Sequence, residues 1–116
     1  MRPFTETLSN QKMGQRTEEL IDVLDQLIKV LESDDEIHWS RWMRKAQAYL
    51  IDSDYYGITY LLSAYGGMGS FNDLVLGQNA NAGAFAWSLG HVDINDNLQA
   101  LRHRAAQLAL EIQRSQ

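Results

Sequence analysis

Four stretches of this chain carry apolar residues at helical spacing, and each predicts an α-helix. The first has a leucine at every third or fourth position, namely Leu20, Leu24, Leu27 and Leu31. With Thr17 as its N-cap, this pattern predicts a helix over residues 17–32. Residues 1–16 carry no sustained period. We therefore expect a flexible N-terminal arm over residues 1–16 and a single helical domain over residues 17–116.

The second and third helices are predicted over residues 35–51 and 54–65. One face of the second is rich in large apolar side chains: Trp39, Trp42, Met43, Ala46, Tyr49 and Leu50. Ser33 and Glu36 match a capping box at its start. The third helix is shorter. Its Gly57 weakens a helix and the run after it is strand-like, so an extended strand is the alternative there.

A glycine cluster separates the third helix from the rest of the chain. Gly66 and Gly67 stand where the C-terminus of a helix favours a residue with positive φ. Ser70 is predicted to cap a short helical turn over residues 70–76, and Asp73 completes that cap. In this interpretation the glycines let the backbone bend before a new turn begins.

The chain between residues 77 and 93 is its least regular part. Small residues alternate there with three large apolar ones, Phe85, Trp87 and Leu89. This alternation allows a short extended piece or a hairpin. Asp96 then caps a last helix over residues 96–113. Together the patterns predict an all-α fold, a small bundle of about four helices with a Gly-rich break after the third and an irregular excursion before the last.

Composition narrows the class of protein. The 116 residues are 45% hydrophobic, which suffices for one core. The absence of cysteine excludes disulfides and thiol chemistry. The N-terminal segment lacks the apolar core of a signal peptide, and no stretch approaches the roughly 18 apolar residues of a membrane span. We expect a cytoplasmic protein that has no membrane partner.

The distribution of charge indicates the kind of partner. The net charge is −5, and residues 17–36 hold eight acidic residues against one lysine. Nucleic acid needs clustered lysine and arginine, so a protein with a basic surface is the expected partner. We assign partner binding to six acidic residues: Glu18, Asp22, Asp25, Glu32, Asp34 and Asp35. The alternative is that they form an ordinary solvated surface.

Aromatic residues supply the other half of the predicted binding surface. Tyr55 and Tyr56 are adjacent, and a helix cannot bury both on one narrow face. One of them is therefore expected to be an exposed anchor for the partner, since tyrosine is common in binding hot spots.

The glycine cluster is also compatible with a ligand-binding loop. A phosphate-binding P-loop is disfavoured, because no lysine follows Lys45. A different ligand loop would use seven residues: Tyr65, Gly66, Gly67, Gly69, Ser70, Asn72 and Asp73. The three histidines do not pair at helical spacing, and we assign no catalytic residue, metal ligand or cofactor.

The segment LLSAYGGMGSFNDLVL, which follows the tryptophan-rich WSRWMRKAQAYL, resembles a family of small bacterial domains of unknown function. The family signature is similar to a GGMGS-(Phe/Leu)-Asn-Asp-Leu core followed by a C-terminal helix. That helix corresponds here to Leu101-Arg102, Ala105 or Ala106, Leu108-Ala109 and Ile112. The resemblance covers roughly residues 37–112. It implies a fold family and a bacterial origin, but no activity.

Two functional hypotheses follow. In size, charge and class the chain is similar to immunity proteins that neutralise secreted toxins. The first hypothesis is accordingly a non-enzymatic protein-binding domain, an immunity protein that inhibits a bacterial toxin by occlusion through an acidic surface. The alternative is a small-ligand-binding or enzymatic domain that uses the loop over residues 66–73. A homo-oligomeric structural protein is a third interpretation, and the sequence does not specify an oligomeric state.

Overall fold

A computed structural model describes the backbone of residues 4–66, 69–81, 84–87 and 91–115. The helices are α1 (Phe4–Ser33), α2 (Ile37–Ile51), α3 (Tyr56–Leu62) and α4 (His91–Ser115). A single 3-10 turn covers Phe71–Asp73, and an antiparallel hairpin joins β1 (Gln78–Asn81) to β2 (Ala84–Trp87). The prediction of a small all-α bundle is confirmed, with the hairpin as the excursion before the last helix.

The core lies where α1 packs against both α2 and α4, with α3 closing the remaining side. The leucine repeat of α1 is fully buried, as its spacing predicts. The other helices and the 3-10 turn contribute further fully buried side chains, among them Met43, Ile58, Leu61, Phe71, Leu98 and Leu108. One apolar cluster therefore holds all four helices together.

The first helix is longer than its apolar pattern indicates. It begins at Phe4, so the predicted start at residue 17 is wrong. Thr17 lies inside the helix and is buried, with its hydroxyl 3.4 Å from that of Tyr55. The preceding segment is polar, but it contains glutamate, glutamine, lysine and arginine, which favour helix without any apolar period.

The turn between α1 and α2 also differs from its prediction. Ser33 ends α1 and donates a hydrogen bond to the carbonyl of Val30, while Glu36 makes no side-chain cap. The turn is instead a C-terminal capping motif of α1, in which the amide of Glu36 donates to the carbonyl of Leu31 at 2.9 Å. Asp35 takes the left-handed position there, with φ of 56°. The predicted capping box is therefore wrong. Polar side chains bond free backbone groups at the N-terminal and the C-terminal ends of helices alike, so their presence does not show which end is being capped.

The later elements follow the predicted order with shifted ends. The third element is helical over seven residues, so the strand alternative is wrong. Gly66 has φ of 104°, which confirms the positive φ predicted after that helix. The last helix begins at His91, and Asp96 is therefore an interior residue and not its cap. Gly67 lies outside the described residues.

Gly57 lies at the closest contact between α2 and α3. A Cβ atom at this position would lie 2.8 Å from the Cβ of Tyr49 and 3.0 Å from the carbonyl oxygen of Ala46. Any side chain here would therefore push the two helices apart.

We expect Gly57→Ala to lower the free energy of unfolding by about 1–3 kcal/mol, because the added methyl group overpacks this contact. Gly14→Ala is the matched control, since nothing lies within 4 Å of a Cβ atom there. That change should raise stability by up to about 1 kcal/mol through helix propensity. Urea unfolding measures both variants, and equal stabilities for the two would contradict the packing argument.

Candidate functional site

The glycine loop uses its own polar groups to build its turn. The hydroxyl of Ser70 accepts a hydrogen bond from the amide of Asn72 at 3.2 Å. The carboxylate of Asp73 accepts from the amide of Gly69 at 2.7 Å. Gly66 and Gly69 both have positive φ, as a tight change of direction requires. The side chains of Ser70 and Asp73 therefore take part in the local structure of the turn.

Two side chains of α4 form hydrogen bonds to the backbone of the segment that follows the glycine loop. Arg102 donates from Nη1 to the carbonyls of Phe71 at 2.7 Å and Leu74 at 3.1 Å. Asn95 accepts from the amide of Leu76 at 2.8 Å and donates to its carbonyl at 2.9 Å. The carbonyl of Phe71 also accepts from the amide of Leu74 in the 3-10 turn, while Leu74 and Leu76 lie beyond that turn and need partners from elsewhere. The loop is thereby fastened along α4.

Tyr65 and Arg102 form a largely buried polar pair. The hydroxyl of Tyr65 donates to the backbone carbonyl of Arg102 at 2.8 Å. Burial raises the pKa of Tyr65 well above its usual value, and the charge of Arg102 opposes this only in part. Burial lowers the pKa of Arg102, while Tyr65 and Asp73 act in the opposite direction. Both groups are thus held where water screens charge poorly.

A cavity of about 380 Å³ opens beside this pair. Its lining comprises Tyr65, Asn72, Gln99, Arg102, His103 and Ala106. Only Tyr65 and Asn72 belong to the ligand loop predicted from the sequence, and the other four come from α4. A signal for Arg102 was present, because it shares a helical face with the buried Leu98 and Ala105. A charged residue on an apolar face indicates a buried polar contact.

The predicted acidic residues divide into two groups. Glu18 and Asp22 are exposed on the side of α1 that faces away from the core. Asp22 accepts a hydrogen bond from the side-chain amide of Gln26 at 3.0 Å. Of the others, Asp25 pairs with Lys29 at 3.1 Å and Glu32 pairs with Arg44 at 2.6 Å.

Asp34 lies in the turn after α1 and accepts from the amide of Gly77 at 3.1 Å, while Asp35 shapes that turn. Asp25, Glu32 and Asp34 therefore have partners within the chain. Their ion pairs and hydrogen bonds already engage part of the charge that was assigned to a partner.

The two tyrosines behave differently, as their adjacency predicts. Tyr56 is 55% exposed, while Tyr55 is half-buried beside Thr17. Tyr56 lies on α3, while the exposed Glu18 and Asp22 lie on α1.

Tyr56 instead belongs to an aromatic patch on α2 and α3, made of His38, Trp39, Trp42, Tyr49, Tyr56 and Tyr60. The rings of Trp42 and Tyr60 stack with centroids 4.7 Å apart and planes 18° apart. The indole of Trp42 also donates to the carbonyl of Tyr60 at 3.1 Å. All six side chains are exposed or half-buried. Sequence reasoning placed most of these aromatic residues in the core and missed this surface.

Comparison with known proteins finds that part of the chain is similar to a family whose function is unknown. Residues 32–84 match the family described as "Domain of unknown function (DUF6966)". This range contains the whole aromatic patch and the glycine loop, while Glu18, Asp22 and Arg102 lie outside it. No curated protein and no solved structure matches the chain.

Two classes of site are not found in the described part of the chain. No group of three or more histidine, aspartate or glutamate side chains there is placed to hold a metal ion. None of the described helices has an apolar stretch of the length that a membrane crossing needs.

We expect Arg102→Met to lower the free energy of unfolding by about 2–5 kcal/mol, because it removes the side-chain donor of the Leu74 carbonyl and one of the two donors to the Phe71 carbonyl. Arg104→Met is the control, since Arg104 lies on the same helix in a partly exposed pair with Glu19. That change should cost no more than about 1 kcal/mol. Denaturant unfolding distinguishes the two, and similar losses would show that Arg102 is not the fastening group.

Tyr65→Phe tests the buried hydroxyl through its pH dependence. The unfolded chain loses the phenolic proton near pH 10, before the folded protein does, so the stability of the wild type falls as pH rises above about 10. The variant should be about 0.5–1.5 kcal/mol less stable at neutral pH, through the lost hydrogen bond. That difference should narrow above about pH 10. Urea unfolding at a series of pH values measures it, and a difference in unfolding free energy that stays constant across the series would contradict the prediction.

Proposed function

We propose that this protein is a non-enzymatic protein-binding domain and that the aromatic patch on α2 and α3 is its contact surface. The observation that carries the proposal is a contiguous set of exposed and half-buried aromatic rings on two packed helices. Tryptophan and tyrosine supply large contact areas with little loss of conformational freedom, and they dominate binding hot spots. No element in the described part of the chain covers the ring of Tyr56.

The patch is held in one conformation before any partner arrives. Trp42 is fixed by its hydrogen bond to the carbonyl of Tyr60 and by the ring of that residue. The ring of Tyr49 packs edge-on against both Tyr56 and Tyr60. Side chains that are already ordered lose little entropy on binding, so their apolar area contributes more fully to affinity.

Charges around the patch add to its selectivity. The ammonium of Lys45 lies 5.2 Å from the centroid of the Tyr60 ring, and Arg41 is exposed on the same helix. The exposed Glu18 and Asp22 lie on α1 and are not part of the patch. Their role in this proposal is long-range attraction of a basic partner, which acts over about 8–10 Å at moderate salt.

The finer form of the proposal is an immunity-type inhibitor that binds a secreted bacterial toxin and occludes its working surface. The net charge of −5 supports a basic partner. The resemblance of the central segment to small bacterial domains supports the bacterial setting. In this form the aromatic patch provides the contact and the acidic side of α1 speeds the encounter.

The experiment uses the full chain as bait in an extract of the source bacterium at low and moderate salt, followed by calorimetry with the purified partner. Tyr56→Ala should weaken binding by about tenfold or more. Leu110→Ala is the control, because Leu110 is an exposed apolar residue on α4, outside the patch. Loss of the partner's toxic activity on mixing would support the immunity form.

The combined variant Glu18→Gln and Asp22→Asn separates attraction from contact. It should lower the association rate at low salt and leave the dissociation rate unchanged, because these charges lie outside the contact surface. Stopped-flow mixing measures both rates. Capture of no protein at either salt, or equal affinity for Tyr56→Ala and the wild type, would overturn the proposal.

A further inference from the structure

The cavity beside Arg102 is one part of a longer groove along α4. A second cavity of about 310 Å³ shares Gln99 and Arg102 with it. The additional lining residues of this second cavity are Leu74, Val75, Val92, Asn95 and Asp96. Arg102 therefore stands where the two cavities meet.

Arg102 carries a buried charge that no counter-ion contacts. The residue is only 9% exposed. Its three hydrogen-bond acceptors are all neutral: the carbonyls of Phe71 and Leu74 and the side-chain oxygen of Gln99. The described residues form four ion pairs, and Arg102 takes part in none of them. Asp73 attracts it only from a distance, since that carboxylate accepts from Gly69.

The guanidinium retains donors for a ligand. Nη1 uses both of its hydrogens on the carbonyls of Phe71 and Leu74, and Nη2 uses one on Gln99. The Nε hydrogen and the second Nη2 hydrogen have no acceptor among the described residues. A guanidinium makes its strongest hydrogen bonds to carboxylate and phosphate oxygens. The exposed amide of Asn72 and the imidazole of His103 line the same cavity.

The other end of the groove is mostly apolar, although Asn95 and Asp96 also belong to its lining. Val75 is 45% exposed and Val92 is 59% exposed, and both line the second cavity together with Leu74. An apolar chain lying over these side chains would be removed from water, which favours binding.

We propose that this groove binds a small amphipathic oxyanion. Its carboxylate or phosphate group contacts Arg102, and a short apolar chain lies over Val75 and Val92. The site uses α4 and the backbone path of the loop, not the glycine amides. It is independent of the aromatic patch, because it lies between α4 and the segment after α3.

The test follows amide NMR shifts while a ligand is titrated into the protein. The amphipathic ligands are sodium hexanoate and hexyl phosphate, and the partial ligands are acetate, inorganic phosphate and hexanol. The two amphipathic anions should bind at least about tenfold more tightly than the partial ligands, because each partial ligand lacks either the anionic group or the apolar chain. Either head group supports the proposal, and the pair of anions identifies which is preferred.

Gln99→Glu separates binding from folding. The new carboxylate replaces an amide oxygen that already lies 2.5 Å from Nη2, so it supplies the missing counter-ion from within the chain. This variant should lose binding by about tenfold or more and keep its melting temperature.

Gln107→Glu is the matched control, because Gln107 also accepts from an arginine three residues away, here Arg104, at an exposed position. It changes the net charge equally and should bind as the wild type does. The proposal fails if hexanoate and hexyl phosphate bind no better than acetate and phosphate. It also fails if Gln99→Glu and Gln107→Glu bind alike.

Discussion

The guanidinium of Arg102 reaches from the middle of α4 to the carbonyls of Phe71 and Leu74, and it sets the path of the chain between α3 and the hairpin. Apart from the 3-10 turn over Phe71–Asp73, this stretch has no ladder or helix to satisfy its backbone, so side chains supply partners for the remaining groups. Burying a charge is costly, and the hydrogen bonds together with the ring of Phe71, 5.7 Å from the guanidinium carbon, offset that cost. Asn95 continues the same arrangement at Leu76, one or two helical turns away along α4.

This fastening decides what the glycine loop can do. Its turn engages Ser70 and Asp73, and its later carbonyls are bound by Arg102, so the loop's polar groups are largely used within the fold. The groove beside it is built mainly by α4. The aromatic patch arises from a different constraint, the close approach of α2 and α3 at Gly57, which brings the rings of Trp42 and Tyr60 into a stack. The two candidate surfaces therefore depend on different contacts and can be changed separately.

Two predicted N-caps failed for the same reason. Ser33 and Asp96 were assigned as starts of helices, yet Ser33 ends a helix and Asp96 lies inside one. Serine and aspartate satisfy free backbone groups at either end of a helix and in turns, so their presence marks a boundary without giving its direction. Asp35 and Ser53 both take positive φ at helix ends, a position more often held by glycine. The start of α1 was missed because polar helix-forming residues carry no apolar period. Of the groove, only Tyr65 and Asn72 were predicted.

The sequence by itself determined which residues are buried on α1 and α2, the local cap by Ser70 and the positive φ of Gly66, since each depends on neighbours within a few positions. Only the tertiary structure decided which acids keep their charge free for a partner. Glu32 meets Arg44 across a helix pair, and Glu19 meets Arg104 from the far end of the chain. It also decided that Arg102 faces inward to the loop. Helical periodicity describes one element at a time, and it contains no information about which side chains of two packed helices come within contact distance.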